Sequence, residues 1–334
     1  MVAAVHAAAP PDADPLTALV PPEGMRLTPR HYAYLKIAEG CDHACGFCAI
    51  PGLRGPLASR PAGAVIAEAE ALVDAGVQEL IVVSHDACAY GRDLGHAESS
   101  WRGGSLDAEI VALCRTLGKF GAWVRLQSVY PDAALDDLVS LMAERTILPY
   151  LDIPFQHSVP HLVETMRSPG NRDDLLERIE DWRDRVPDLT LRSTFIVGLP
   201  GETDADFEAL LDWLKTARLD RVGCFKYENV AGTPAFDLPG QVPEAVKDAR
   251  WHRLMQVQQS LSAARMAAKV GSRIEMIVDE VDDEGAIGRS PADAPDIDGA
   301  VFLNGDVGVA VGDIVLVEIE YTEDYDLWAV RTDE

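Results

Sequence analysis

The chain is short of positive charge: 29 lysines and arginines stand against 55 aspartates and glutamates, a net charge of −26. An acidic excess of this size opposes a nucleic-acid backbone or an anionic membrane as the main partner and favours a basic one. The opening residues, Met1-Val-Ala-Ala-Val-His-Ala-Ala-Ala-Pro, lack the basic stretch of a secretory signal. No uninterrupted apolar window approaches the roughly 18 residues of a membrane-spanning helix, so no membrane contact is expected. Cysteine is scarce as well. Six in 334 residues are too few for a disulfide framework, and a reducing cytoplasm is the expected setting. What remains, 48 % hydrophobic and 25 % charged, is the composition of a globular protein with a sizeable core rather than of a disordered or fibrous chain.

Residues 1–28 are rich in Ala, Pro and Asp without a sustained period, and are expected to be a linker or the remnant of a missing N-terminal domain. From His31 the pattern alternates. Strands are predicted at Tyr32–Ile37, Glu79–Val83, Trp123–Val129, Tyr150–Phe155, Thr190–Val197 and Arg221–Tyr227. Helices are predicted between them at 61–76, 105–118, 134–144, 159–185 (broken near Pro169-Gly170) and 203–217. Six such βα units predict an α/β fold over 29–242, a parallel partial (β/α)6 TIM-like barrel with ligands at the C-terminal ends of its strands.

A connecting helix is expected over 243–270, with Leu254, Val257, Leu261, Ala264 and Ala268 as its apolar stripe and Gly271 as its end. Residues 271–334 change to short alternating strands, as at Arg273–Val278, Val301–Leu303 and Ile314–Glu320, and predict a small antiparallel β-barrel, OB-like. That segment holds 18 acidic residues and three arginines.

Three of the six cysteines fall in Cys41-Asp-His-Ala-Cys45-Gly-Phe-Cys48, directly after the first strand. Thiolates at this spacing can converge on one inorganic centre. Iron–sulfur clusters normally take four cysteines, so three ligands leave one iron open to a substrate. Structural zinc is the competing reading, with His43 as a fourth ligand, although no second ligand pair stands out. Cys114 lies on an apolar helical stripe and Cys224 within a strand, both core positions; Cys88 follows Asp86 and reads as incidental.

At this loop the sequence resembles the radical S-adenosylmethionine enzymes, whose hallmark is C-x3-C-x2-C with an aromatic before the last cysteine, here Phe47. The resemblance narrows to the methylthiotransferases in Ala33-Tyr-Leu-Lys-Ile-Ala-Glu-Gly-Cys41, Ile50-Pro-Gly-Leu-Arg-Gly55, Ser59-Arg60-Pro61, Ser84-His85-Asp86 with Tyr90-Gly91, Asp152-Ile-Pro-Phe-Gln-His157 and Thr194-Phe-Ile-Val-Gly-Leu-Pro-Gly-Glu-Thr203. The run Pro29-Arg-His-Tyr-Ala-Tyr-Leu-Lys36 is similar to the branch that modifies an aspartate of small-subunit ribosomal protein twelve, and the acidic tail is similar to that family's TRAM domain.

The resemblance implies that Cys41, Cys45 and Cys48 hold a [4Fe–4S] cluster whose open iron chelates S-adenosylmethionine, cleaved to a 5′-deoxyadenosyl radical. The radical takes hydrogen from the aspartate β-carbon, sulfur is inserted, and a second S-adenosylmethionine supplies the methyl group. It assigns Phe47, Ser84, His85, Asp86, Gly198, Gly201 and Glu202 to the S-adenosylmethionine site; Ser128, Gln156, Arg192 and Thr194 are candidates for the same site because polar side chains on barrel strands are costly unless a polar ligand satisfies them. Turn punctuation, loop capping and structural hydrogen bonding are the bland alternatives for these residues, as a solvated loop is for Arg54 and Arg60. Full-length members carry a further domain with three cysteines for a second [4Fe–4S] cluster. No cysteine precedes Cys41, so the chain is expected to be a fragment lacking that domain.

Charge separates the family's two substrate types. A tail with so few cations would repel a transfer RNA backbone, whereas it would attract a basic ribosomal protein. The expected partner is therefore that protein, bound through the acidic TRAM domain; the resemblance also implies an electron donor, flavodoxin-like or similar. A transfer RNA adenosine methylthiotransferase and a non-catalytic iron–sulfur or zinc scaffold are the alternatives.

Overall fold

The computed structural model describes residues 29–168, 174–305 and 308–332; the expected linker at 1–28 and the helix break at Pro169-Gly170 lie outside them. Six parallel strands form the first domain: β1 (Tyr32–Lys36), β2 (Glu79–Val83), β3 (Trp123–Leu126), β4 (Tyr150–Asp152), β5 (Thr190–Val197) and β6 (Arg221–Lys226). The helices α1 (Ala62–Asp74), α2 (Ile110–Leu117), α3 (Ala134–Ala143), α4 (Leu175–Arg185) and α5 (Asp204–Ala217) lie between them in the chain, with a shorter helix at Pro160–Thr165. Each strand prediction overlaps its observed strand.

The arc is not one ladder. Strands β1, β2 and β3 form one three-stranded sheet and β4, β5 and β6 another. Across the seam Leu148 N–H donates to the Val124 carbonyl and Val129 N–H to the Asp152 carbonyl, both at 2.9 Å, and Ser128 N–H donates to the Asp152 carboxylate at 3.1 Å. Pro149 and Pro154 flank β4 and have no N–H to give, which keeps that strand to three residues. Alternation sorts the rest. Ala33, Leu35, Leu80, Val82, Val124, Leu126, Leu191 and Phe195 join the apolar core, while Tyr32, Glu79, Arg125, Asp152, Arg192 and Arg221 occupy the opposite phase of the same strands.

The helix expected over 105–118 starts later, because Glu98–Trp101 and Gly104–Asp107 pair as a hairpin. Its turn residues Arg102 (φ 48°) and Gly103 (φ 78°) both take the left-handed conformation that two-residue hairpins need. An Arg-Gly pair gives a weaker signal of that turn than Asn-Gly.

The second domain is a closed barrel of β7 (Arg273–Val281), β8 (Gly285–Arg289), β9 (Val301–Asn304), β10 (Ile314–Thr322) and β11 (Leu327–Arg331), in the order β7-β8-β9-β11-β10. The expectation of a purely antiparallel barrel is corrected: β9 and β11 pair in parallel. A closed ring of five strands cannot alternate direction all the way round, so at least one pair must be parallel.

The helix α6 (Glu244–Ala267) joins the domains, but its buried face is not the predicted apolar stripe. Of that stripe Leu254 is buried, Val257 and Leu261 are half-buried, and Ala264 and Ala268 are exposed. The buried line runs Lys247, Arg250, Leu254, Gln258, Ser262 and Met266. Its polar members reach main-chain carbonyls: Lys247 Nζ to Tyr227 (2.7 Å), Gln258 Nε2 to Leu219 (3.2 Å) and Ser262 Oγ to Asp324 (3.1 Å). Hydrophobic periodicity misses such a face because its burial is satisfied by hydrogen bonds.

The loop between β8 and β9 closes the N-terminal end of the first barrel. Glu79 opens β2 with its side chain fully buried, and accepts from Arg125 Nε (2.7 Å) and Arg289 Nη1 (2.6 Å). Arg125 also donates to the Pro291 carbonyl (2.8 Å), Arg221 pairs with Asp293 (2.5 Å), and the Tyr150 hydroxyl donates to Asp298 (2.6 Å). Charges buried this deeply require partners. The opposite mouth, at the C-terminal ends of the strands, is left for chemistry.

Candidate active site

The cysteine loop leaves β1 at that mouth and is tied down along its length. Gly40 (φ 71°) packs so closely on the Pro56 carbonyl that no side chain fits there. Asp42 accepts from Leu57 N–H (2.9 Å), Gly46 N–H donates to the Met166 carbonyl (2.6 Å), and the Gly46 carbonyl accepts from Ala235 N–H (2.8 Å). Phe47 packs beside Leu162, Met166, Ile196, Leu199 and Tyr227. The loop thus bridges segments that follow β1, β4 and β6.

All three cysteines are free; Cys45 is buried and Cys41 and Cys48 are half-buried. Cys41 Sγ accepts from His43 N–H and Cys48 Sγ from Ile50 N–H, each at 3.4 Å, as thiolates on a metal would. Burial, and then the charges of Cys48 and Cys41, push the Cys45 thiol up to about 12, so ionising it calls for a metal cation. The donor set fits an iron–sulfur cluster. Among the described residues no three His, Cys, Asp or Glu side chains gather tightly enough for a single metal ion.

His43 is not turned into a fourth ligand. Its Nε2 lies 2.7 Å from Asp86 Oδ2, and its ring packs on Tyr130 with centroids 5.0 Å apart. Asp86 is buried and also accepts from Cys88 N–H (2.9 Å). Sequence reasoning missed this clamp between the loop and the end of β2, because residues 43 apart give no local signal.

The other predicted residues fall into three groups. Ser84, His85, Asp86, Ser128 and Gln156 follow the C-terminal ends of β2, β3 and β4, and Thr194 lies on β5 beside Gly223 of β6. Ser84 Oγ is buried without a hydrogen-bond partner. Ser128 (φ 56°) and Gln156 (φ 65°) hold left-handed backbone that costs a side-chain-bearing residue about 1–3 kcal/mol and concentrates at functional sites. Gly198 and Gly201 form the turn into α5. Glu202 shapes that turn: Oε2 accepts from Gly198 N–H (2.6 Å) and Leu199 N–H (3.1 Å), and Oε1 from Arg250 (2.9 Å). Burial raises its carboxyl despite Arg250. Arg192 is engaged by Asp152 (2.7 Å) and Asp298 (3.7 Å), facing the second domain.

Arg60 is tied to the Lys36 carbonyl and Glu68, while Arg54 is largely exposed. Cys88, Cys114 and Cys224 are buried and lie outside the loop. Burial pushes the Cys88 and Cys224 thiols up to about 12, which makes them inert.

Fold and loop together define a radical S-adenosylmethionine protein with an appended TRAM domain. The Radical SAM superfamily model matches residues 35–214 and the TRAM domain model residues 270–331. This family implies a [4Fe–4S] cluster and S-adenosylmethionine. Coproporphyrinogen III oxidase (HemN) of Escherichia coli, a radical SAM enzyme, shares the fold with a TM-score of 0.51, at 13 % identity, covering 89 % of this chain and 71 % of that one. The chain is 60 % identical over 328 residues to the ribosomal protein uS12 methylthiotransferase RimO of Rhodospirillum rubrum, covering 98 % of this chain and 74 % of that protein. It is 58 % identical to its counterpart in Paramagnetospirillum magneticum, covering 98 % and 73 %. The chain belongs to the RimO family of methylthiotransferases.

Proposed function

We propose that the chain is a radical S-adenosylmethionine methylthiotransferase that adds a methylthio group to the β-carbon of an aspartate in ribosomal protein uS12. The observation that carries the reading is the Cys41–Cys48 loop, pinned at the open mouth of the barrel in a chain 57–60 % identical to relatives bearing that activity in their names. Cys41, Cys45 and Cys48 would hold the [4Fe–4S] cluster with one iron left for S-adenosylmethionine. When bound, the cluster supplies the electron that cleaves the sulfonium.

The chain's own residues would then bind and orient. Phe47, Ser128, Gln156, Thr194 and the Gly198–Gly201 turn line the S-adenosylmethionine site, with Ser84, His85 and Asp86 at its cluster-proximal end. Glu202 and Arg192 act from behind, one holding the turn and the other the wall. Residues 29–242 would form the radical S-adenosylmethionine barrel, 243–270 the connecting helix and 271–334 the TRAM domain. No helix among the described residues is long and apolar enough to cross a membrane. The substrate is a ribosomal protein, so the reaction would take place in the cytoplasm, with an electron donor that is flavodoxin-like or similar.

The acidic second domain supports a basic protein over transfer RNA as partner. Part of its charge is spent internally, since Asp279, Asp293 and Asp298 pair with residues of this chain. Exposed Glu280, Asp282, Asp283, Glu284, Glu320 and Glu323 remain for the substrate. The test incubates reconstituted protein, S-adenosylmethionine and reductant with purified uS12. The expected result is the mass increment of one methylthio group on a single aspartate. Modification of transfer RNA instead would contradict the proposal.

A further inference from the structure

A cavity of about 210 Å³ opens between the C-terminal ends of β1 and β2, lined by Lys36, Glu39, Arg54, Ser84 and His85 among others. Lys36 ends β1 in phase with Tyr32 and Tyr34, so its side chain belongs to the inner wall. Glu39 is followed directly by Gly40 and Cys41, which places the cavity against the cysteine loop.

Its charge is unusual for this molecule. The Glu39 carboxylate, only 4 % exposed, is bonded by Lys36 Nζ, and lies 3.4 Å from His85 Nε2 and 3.9 Å from Arg54 Nε. One carboxylate therefore faces two permanent cations and an imidazole, leaving net positive charge in a chain of −26. Among the described residues Arg54 has only that long contact with Glu39, and Ser84 Oγ is buried without a hydrogen-bond partner. Both features are those of a site waiting for an anionic acceptor.

We propose that this pocket receives the side-chain carboxylate of the substrate aspartate, with Lys36 and Arg54 as its charge partners and Ser84 and His85 on the wall it shares with the S-adenosylmethionine site. The inference rests on the reading of the chain as an aspartate methylthiotransferase and adds a basis for its specificity. The reacting β-carbon is bonded directly to that carboxylate, so whatever holds the carboxylate must stand beside the cluster loop, as this pocket does. Glu39 fixes the Lys36 ammonium in advance, so little ordering cost falls on substrate binding. A fixed cation also separates aspartate from asparagine and from a neutral nucleobase. The methionine end of S-adenosylmethionine carries a carboxylate of the same chemistry, and the experiment must distinguish the two.

Reconstituted protein is titrated with S-adenosylmethionine, and with two uS12-derived peptides, one carrying the target aspartate and one with asparagine in its place. The wild type is expected to favour the aspartate peptide on the order of tenfold to a hundredfold, the value of a charge-assisted contact. In Lys36→Met and Arg54→Gln that preference falls toward parity, while the dissociation constant for S-adenosylmethionine holds. Lys36→Met combined with Glu39→Gln removes the stranded carboxylate, so a folding defect is not mistaken for lost recognition. Preference that survives in all three variants overturns the proposal. So does an equal loss of S-adenosylmethionine affinity, which assigns the pocket to the cofactor. Wild-type protein that cleaves S-adenosylmethionine yet binds neither peptide overturns the aspartate reading, and the pocket assignment with it.

Discussion

Glu79 and Arg289, 210 positions apart, meet at 2.6 Å with both side chains buried, one opening a strand of the first barrel and the other closing a strand of the second. The second domain is therefore held at the N-terminal mouth of the first by ion pairs and not by a linker alone. Arg289→Met leaves Glu79 and Asp279 short of a partner, and a broken buried pair costs about 3–5 kcal/mol. Chemical denaturation at neutral pH is expected to show a loss of that size; an unchanged midpoint would contradict the latch.

The two glycines of the turn into α5 differ in what they tolerate. A side chain at Gly198 (φ 77°) would run into Lys247, whereas around Gly201 (φ 85°) there is open space. Gly201→Ala is expected to cost only the left-handed backbone penalty, about 1–2 kcal/mol. Gly198→Ala adds overpacking of about 1–3 kcal/mol. Thermal unfolding ranks them, and the reverse order would show that the turn is built differently.

His157 gives a pH signature. Burial, opposed in part by Asp206, holds its imidazole down at about 4, below the ordinary 6.5. The unfolded chain takes up the proton first. The stability of the neutral buried ring is complete above about pH 6.5 and is lost as pH falls toward 4, by up to about 1.4 kcal/mol per pH unit. His157→Asn removes that component, so the gap between variant and wild type should narrow over this window. A gap constant from pH 7 to 4.5 would count against a neutral buried His157.

The clamp between His43 and Asp86 should matter for holding iron. Asp86→Ala strands the His43 ring and Cys88 N–H, a cost of about 1–3 kcal/mol placed on the loop itself. Iron per chain after anaerobic reconstitution and desalting is expected to drop in Asp86→Ala and to recover partly in Asp86→Asn, which keeps an acceptor. Equal iron in all three proteins would show that the loop needs no clamp.

Much of this was legible from residue order. Alternation from Tyr32 to Lys36 and the apolar run Leu80–Val83 each mark a strand, and Cys41, Cys45 and Cys48 announce a metal without help from the fold. What escaped was what polar groups do at a distance. Glu202 reads as a ligand in Gly198-Leu-Pro-Gly-Glu202 but spends its carboxylate on the turn's own N–H groups and Arg250. Gln258 and Ser262 fall outside the predicted apolar stripe yet are buried against carbonyls. Lys36 gives no signal in sequence beyond its phase on β1; only the cavity shows what it faces.

The central claim is that Cys41, Cys45 and Cys48 hold a cluster that cleaves S-adenosylmethionine at the open mouth of the barrel. It is tested most directly by reconstituting the chain anaerobically with iron and sulfide, adding dithionite and S-adenosylmethionine, and measuring 5′-deoxyadenosine. The account predicts product from the wild type and none from Cys41→Ala, Cys45→Ala or Cys48→Ala. Iron-free protein carrying about one zinc per chain and making no product, or product undiminished in the three variants, would contradict it.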